Sequence, residues 1–450
     1  VTAGVALGAR LFVTLLAWNR FPPADDGVFY DTLAKRLAHG LGYTWAWPDG
    51  VVTPVAHYPV GYPWLLSLAY RGLGEHPASA LLLHTLLGTL GAVALHVVAS
   101  FGLSPQRARW AGLGMALHPA LLLYLPAIMT EGVAASLLPI PFAIALSGGS
   151  RRGVTASLAM TIAGAALGLV ALVRPQLLVL APVLAWLAVS RAPKRARLAG
   201  PLLVVVGAAL VIAPWTVRNE RVFGRVVVVS ANGGWNLLIG TDPEAHGTWR
   251  PLAVPTECRE VWDEAAKDAC FGSVAWGRIR AAPTEWIATA PSKLASTFDL
   301  GGTGPSYLSR SRPDLVPRWL VLLLGGIDTL VARVALGGAL VACAWPSGRW
   351  LLPRRAVAAA SVACLLSPHA WPAYLGLLVL VPLSPRPASP RPLVLVAWSV
   401  LLATLLTHGV VFGASRYALL VFPWIAALAL SMWVTSHRSP GSSPSPAPLG

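Results

Sequence analysis

The chain has 450 residues, of which 56% are hydrophobic and 12% charged, with a mean hydropathy of +0.64. Soluble domains carry about 25% charged residues, so this balance excludes an ordinary soluble fold and points to a polytopic membrane protein. The net charge of +16 does not indicate nucleic acid, because the arginines fall in short clusters between apolar runs and form no basic stripe with interleaved aromatics.

The first apolar run, Val1 to Trp18, holds Arg10 and lacks a small-residue cleavage site, so it reads as a signal anchor. Residues 19–63 follow as a polar stretch with Asp25, Asp26, Asp31, Asp49, His39, His57 and eight aromatics. A connection between two membrane helices needs far less. Functional groups gather on loops held by a rigid scaffold, so residues 19–77 are the expected catalytic loop. Within it, Tyr62 to Leu73 is amphipathic and too short to span, which predicts a helix lying in the interface. Runs able to cross a membrane, or nearly so, follow at 78–100, 109–126, 128–147, 154–172, 175–190, 198–217, 317–345, 355–367, 370–384, 392–411 and 416–435. With the first run they make about twelve spans. The predicted fold class is therefore an all-α polytopic membrane protein with two outward-facing loops carrying interfacial helices. Its membrane domain covers 1–435, and a Ser/Pro-rich stretch at 436–450 is expected to be a disordered cytoplasmic tail.

Charge sets the orientation. Alternate connections hold Arg107 and Arg109; Arg151 and Arg152; Arg191, Lys194, Arg195 and Arg197; Arg349, Arg354 and Arg355; and Arg386 and Arg391. That side is expected to be cytoplasmic, which turns the first loop and the long loop at 218–317 outward. In the long loop, Val226 to Val229 and then Asn232-Gly233-Gly234 are expected to form a β-rich or irregular segment, and 257–287 reads as helical. Cys258 and Cys270 lie together there, where an oxidising compartment would allow a bridge, whereas Cys343 and Cys364 fall in apolar runs. The nineteen Trp suit an interfacial belt, although several lie in polar loops where a sugar could stack. The chain has no Walker loop, no dinucleotide GxGxxG, no HExxH and no GxSxG elbow.

Several polar residues fall at the outer ends of the expected spans: Glu131, Arg174, His369, His408, and Arg416 with Tyr417. Each has a bland reading. Glu131 suits a helix N-terminus, the arginines can snorkel, lone histidines are usually structural, and Asp25 or Asp26 can cap a helix. Their joint placement on one side raises a shared functional site.

Four stretches carry a resemblance. Asp26-x-x-x-Tyr30 before LAKRLAHGLGY, HYPVGYPWLLSLAYRGLG, MTEGVAASLL, and the long-loop segment ending in NGGWNLLIG are together similar to the GT-C glycosyltransferases. Within them, the chain most resembles the family 39 group of protein O-mannosyltransferase-like enzymes and their aminoarabinose transferase relatives. The resemblance covers most of 15–300 plus the Arg416-Tyr417 ending. It implies transfer of a hexosyl or pentosyl group from a polyprenyl-phosphate donor, with inversion, to a glycan, lipid or protein acceptor at the outer face of the inner membrane. Asp26 would be the general base with Asp25 as its alternate, and Glu131 would support it. Arg174, Arg416 and Arg218 would bind the donor phosphate, while His57, Tyr58, Tyr62 and Tyr417 would line the substrate site. Many relatives have Asp-Glu where this chain has Asp26-Gly27, and some have Glu where it has His57. The pattern requires no cofactor; a divalent metal, if bound, would take His57 and Asp26.

Three other readings compete. A lipid-linked glycan ligase or polymerase would favour a large outer loop in the C-terminal half. A transporter would place charges near the midplane and show related halves, which this sequence does not. An inactive homologue acting as a scaffold is the fourth.

Overall fold

The computed structural model describes residues 1–149, 153–191, 199–345, 351–383 and 392–433. The basic residues Arg151, Arg152, Lys194, Arg195, Arg197, Arg349, Arg386 and Arg391, and the expected tail at 436–450, lie outside them.

Among the described residues, six helices are long and apolar enough to cross a membrane: Pro77–Ser100, Thr130–Gly149, Val154–Val173, Ala199–Phe223, Arg318–Ala344 and Pro392–Val410. Four shorter apolar helices, Thr2–Ala17, Pro175–Ser190, Trp371–Leu383 and Phe422–Ser431, coincide with other expected spans. The run at 109–126 is instead broken into Pro105–Ala116 and Pro119–Leu123. Pro119 explains the break, since it lacks an amide hydrogen and is suited to the first turn of a new helix. The run at 355–367 becomes Leu351–Leu365, which is 15 residues long.

A large apolar core joins these helices, with Trp424, Phe142, Leu95, Leu138 and Leu340 buried in it. Long exposed apolar faces remain outside, as on Arg318–Ala344 with Trp319, Leu322 and Leu330. A membrane helix needs no water-facing polar side, so this pattern accords with lipid contact.

The first loop folds as helix Asp26–Ala38, a two-stranded antiparallel hairpin and helix Gly61–Leu73. Strands Thr44–Ala46 and Val52–Pro54 pair with Trp45 opposite Thr53. The Tyr70 hydroxyl donates to Asp31 Oδ1 at 2.6 Å and ties the two helices together. Gly61 rests against the backbone of Leu172 and Val173, where a Cβ would come within 2.5 Å of the Leu172 carbonyl carbon. Only glycine permits this approach, which seats the loop on the end of Val154–Val173, one residue before Arg174.

In the long loop no strand forms at Val226–Val229. Those residues are irregular, and their carbonyls are taken by side chains: Trp215 Nε1 donates to Val229 O and Thr216 Oγ1 to Val228 O. Asn232-Gly233-Gly234, expected to be β-rich or irregular, instead starts a helix, Gly233–Gly240. Helices Glu264–Ala281 and Pro283–Ala288 fill the expected helical region. Cys258 and Cys270 are joined in a disulfide beside a small core of Leu238, Phe271 and Ala275.

Candidate functional site

Four ionic side chains from four distant segments meet at one place. Asp26 opens helix Asp26–Ala38, and Glu131 lies in the first turn of Thr130–Leu137. Arg174 follows Val154–Val173, and Arg416 lies in the short helical turn Ser415–Leu420. Arg416 Nη1 is 3.0 Å from Asp26 Oδ2, and its Nε is 3.3 Å from Glu131 Oε1. Arg174 Nη1 is 2.7 Å from the same Glu131 oxygen and donates to Thr130 Oγ1 at 3.0 Å. The order is Asp26, Arg416, Glu131, Arg174.

Burial is uneven along this chain. The Glu131 side chain is 2% exposed, whereas that of Asp26 is 32% exposed. An ion pair buried this deeply survives only when its remaining atoms are also bonded. Glu131 meets that need: Oε1 faces both arginines, Oε2 accepts from the Tyr124 hydroxyl at 3.1 Å, and the helix N-terminus favours its charge. Asp26 is left open, with Oδ1 accepting from the Tyr58 hydroxyl at 3.3 Å. Glu131 is thus the enclosed acid of the pair and Asp26 the solvent-accessible one. The Tyr417 ring lies beneath both guanidiniums, 5.1 Å from Arg174 Cζ and 5.4 Å from Arg416 Cζ. A ring face attracts cations, so the Tyr417 ring is a common partner of the two arginines.

Tyr307 aligns the two acidic segments. Its hydroxyl oxygen accepts from Ala24 N at 3.0 Å and Ile128 N at 3.3 Å, joining the approach to Asp26 to the approach to Glu131. Gly27 is pressed against this junction: a Cβ there would lie 2.6 Å from the Tyr307 hydroxyl and 2.9 Å from Ile128 O. That contact leaves no room for a side chain at position 27.

The long loop supports the other flank. Glu264 Oε2 accepts from Ala56 N at 2.6 Å and His57 N at 2.9 Å. The His57 ring packs edge-on against Tyr58 and Trp235. Burial pushes His57 below the usual imidazole value, against the pull of Glu264, Asp268 and Asp26. Burial and the adjacent Asp26 push the Tyr58 hydroxyl above the ordinary phenol range, so it stays a hydrogen-bond donor.

Asp26, Glu131, Arg174, Arg416, Tyr58 and Tyr417 thus come together, with His57 beside them. Three expected residues do not join the cluster. Asp25 faces away, 2.6 Å from Arg310 Nε, on a backbone with φ of +50°. Arg218 spends its guanidinium on Tyr43 O and Val55 O, both at 2.8 Å, and so pins the first loop. Tyr62 is fully buried and hydrogen-bonded to His84 Nε2 at 2.9 Å. His369 is also elsewhere, bonded to Asp299. Tyr124, Thr130 and Tyr307 are site residues that sequence reasoning missed; Tyr124 and Thr130 lie within seven residues of Glu131, a proximity that could have flagged them.

Among the described residues, no group of three or more His, Cys, Asp or Glu side chains is placed to hold a metal ion. Where two carboxylates approach each other, at Asp26 and Glu131, the Arg416 guanidinium bridges them.

No protein-family model matches the sequence, and no curated protein matches it. Among solved structures, the chain is similar to the oligosaccharyltransferase of Archaeoglobus fulgidus in complex with zinc and sulfate. The identity is 14% and the TM-score 0.50, over 95% of this chain and 48% of that one. The apo form of that protein gives 13% identity and a TM-score of 0.50, over 96% of this chain and 49% of that one. The chain is also similar to ArnT from Cupriavidus metallidurans bound to undecaprenyl phosphate, at 16% identity and a TM-score of 0.41, over 95% of this chain and 76% of that one. It spans about half the length of the archaeal protein. The likeness to the archaeal protein shows the fold: a helical membrane architecture with several apolar spans, shared with the matched part of that protein.

Proposed function

We propose that the chain is an integral-membrane glycosyltransferase that takes a hexosyl or pentosyl group from a polyprenyl-phosphate donor and passes it, with inversion, to an acceptor at the outer face of the inner membrane. The observation that carries this reading is the sequence of ion pairs from Asp26 through Arg416 and Glu131 to Arg174. In such a transfer the acceptor hydroxyl loses a proton as its oxygen attacks the anomeric carbon, and the bond from that carbon to the phosphate oxygen breaks. One carboxylate must take the proton, and cations must receive the departing phosphate.

The site supplies both. Its two arginines and two carboxylates balance to zero formal charge. An arriving phosphate therefore competes with a carboxylate for an arginine. Arg416 is the one to move, because its partner Asp26 is the more exposed acid, whereas Arg174 is held by buried Glu131 and by Thr130. When Arg416 turns from Asp26 to the phosphate, it binds the leaving group and frees the Asp26 carboxylate for the acceptor proton. Arg174 supplies the second donor, and guanidinium–phosphate pairs are strong, directional bonds. Glu131 holds both arginines in place, and Tyr58 orients Asp26. The reading routes no step through a metal.

The twelve-span topology, the family 39-like subtype and the cytoplasmic placement of the basic connections belong to this reading. So does the span of the catalytic domain over 1–435. The fold likeness supports it without choosing the sugar or the acceptor. The test is a transfer assay in membranes with radiolabelled polyprenyl-phosphate sugars. Transfer from at least one donor by wild type, absent from membranes lacking the protein, is the expected result. No transfer from any lipid-phosphate donor would overturn the reading and return the ligase, transporter and scaffold alternatives.

A further inference from the structure

Beside the ionic cluster lies a buried ring to which the reading above gives no role. His408, on the last turn of Pro392–Val410, is 3% exposed, and its ring stacks on Tyr417 at 3.9 Å between centroids and 12° between planes. Tyr417, itself 5% exposed, is the ring beneath both Arg174 and Arg416. Phe412 meets the Tyr417 ring edge-on at 5.9 Å.

The hydrogen bonding fixes how His408 sits. Its Nδ1 lies 3.1 Å from Phe412 O, and a carbonyl oxygen can only accept, so Nδ1 carries the hydrogen. Neutral His408 then has a bare lone pair on Nε2, which is buried and has no hydrogen-bond partner. The second nitrogen binds nothing in the fold, so the flat face of the ring is what the site uses. The segment behind it is also tied down. Lys293 Nζ donates to Val410 O at 3.0 Å, and Gly413 N donates to Gly247 O at 2.9 Å. The chain from 408 to 417 is therefore a short stiff bracket, fastened to the long loop at one end and carrying Tyr417 and Arg416 at the other.

We propose that His408 is a positioning residue for the donor phosphate: its ring backs Tyr417, and Tyr417 packs against Arg174 and Arg416, the two guanidiniums that would take the anion. The inference rests on the transferase reading of the same site. Without the backing ring, Tyr417 can tilt into the space left behind, and the two guanidiniums lose their common floor. The affinity for an anionic donor then falls, while the Asp26 carboxylate keeps its bond from the Tyr58 hydroxyl on the acceptor side.

The test compares His408→Ala with His408→Phe in the full-length purified protein. Phe keeps the stacking face and loses only the bond to Phe412 O. The probes are undecaprenyl phosphate, read as a ligand-induced rise in melting temperature, and the donor and acceptor KM values in transfer. His408→Ala is expected to raise the donor KM and weaken undecaprenyl phosphate binding by roughly tenfold, with acceptor KM unchanged. His408→Phe should stay within about threefold of wild type on both measures. Wild-type binding retained by His408→Ala overturns the inference alone. Equal damage in both variants also overturns it, since stacking would then not be the property that counts. Failure of the wild type both to bind undecaprenyl phosphate and to transfer sugar removes the transferase reading and this inference together. Binding by wild type without transfer removes only the transferase reading, and the two variants still decide the inference by binding.

Discussion

Arg416 and Asp26, 390 residues apart in the chain, meet at 3.0 Å through Nη1 and Oδ2. The contact joins the first loop of the protein to its last. Under the proposed function it sets the candidate phosphate ligand against the candidate base, so that donor arrival would release the carboxylate.

On that reading Arg416→Ala removes one of the two proposed phosphate ligands together with the ion-pair partner of Asp26. The expected loss in kcat/KM is about a hundredfold or more, in line with deleting one preorganised donor at a developing charge. Arg416→Lys should recover only part of it, because an ammonium cannot span Asp26 and Glu131 as a planar guanidinium does. Steady-state transfer at several donor concentrations measures both.

Glu131→Gln tests the buried support. It leaves two arginines facing a single carboxylate, with Arg174 the more enclosed of the two. Breaking a buried pair by removing one partner costs about 3–5 kcal/mol. Thermal unfolding in detergent should show a large fall, and Tyr124→Phe, which removes one hydrogen bond to Glu131, a smaller one. Equal melting temperatures for wild type and Glu131→Gln would remove Glu131 from the structural role given to it.

The disulfide is a separate element of the long loop. Cys258 and Cys270 are separated by 12 positions, and closing a loop of that size contributes about 3 kcal/mol in the chain-entropy model. Reduction should open 250–262, ahead of the helix Glu264–Ala281, to protease while leaving the membrane helices intact. Transfer should fall only modestly, because Glu264 and Asp268 reach Ala56, His57 and Trp235 through the helix Glu264–Ala281.

Lys293 gives a dependence on pH. Desolvation pushes its amine down to about 8 from a usual value of 10.5. Between those values the unfolded chain holds a proton that the folded chain has released, so stability rises with pH across that window. Below about 8 both forms are protonated, and above 10.5 both are neutral, so no further change is due to this group. Lys293→Met should flatten the rise. Chemical unfolding from pH 7.5 to 11 compares the two, and parallel curves would contradict the assignment.

Local sequence carried much of the site and little of its support. Glu131, Arg174 and Arg416 were visible because charged residues beside apolar runs are costly and stand out. Asp26 was visible within a polar loop too rich for a connector. Their meeting was inferred from a shared side, and the structure supplies the distances. Arg218 looked the same as the other arginines by sequence, yet its partners are two backbone carbonyls more than 160 residues away. The role of Glu264 was likewise unreadable, since its two amide donors lie 208 and 207 positions from it. The Pro119 break and the irregular Val226–Val229 show the other limit. Both runs are apolar enough for a regular element, and backbone chemistry decides against it.

The most direct measurement is radiolabelled sugar transfer by Asp26→Asn and Asp25→Asn, each at wild-type protein level. Asp26→Asn keeps the shape of the side chain and removes its capacity to take a proton. The account predicts a loss of about a hundredfold or more for it, within the usual contribution of a general base. Asp25→Asn, whose carboxylate faces Arg310 outside the cluster, should stay within about threefold of wild type, as expected for an exposed ion pair. Full transfer by Asp26→Asn, or a loss confined to Asp25→Asn, would contradict the assignment of the base.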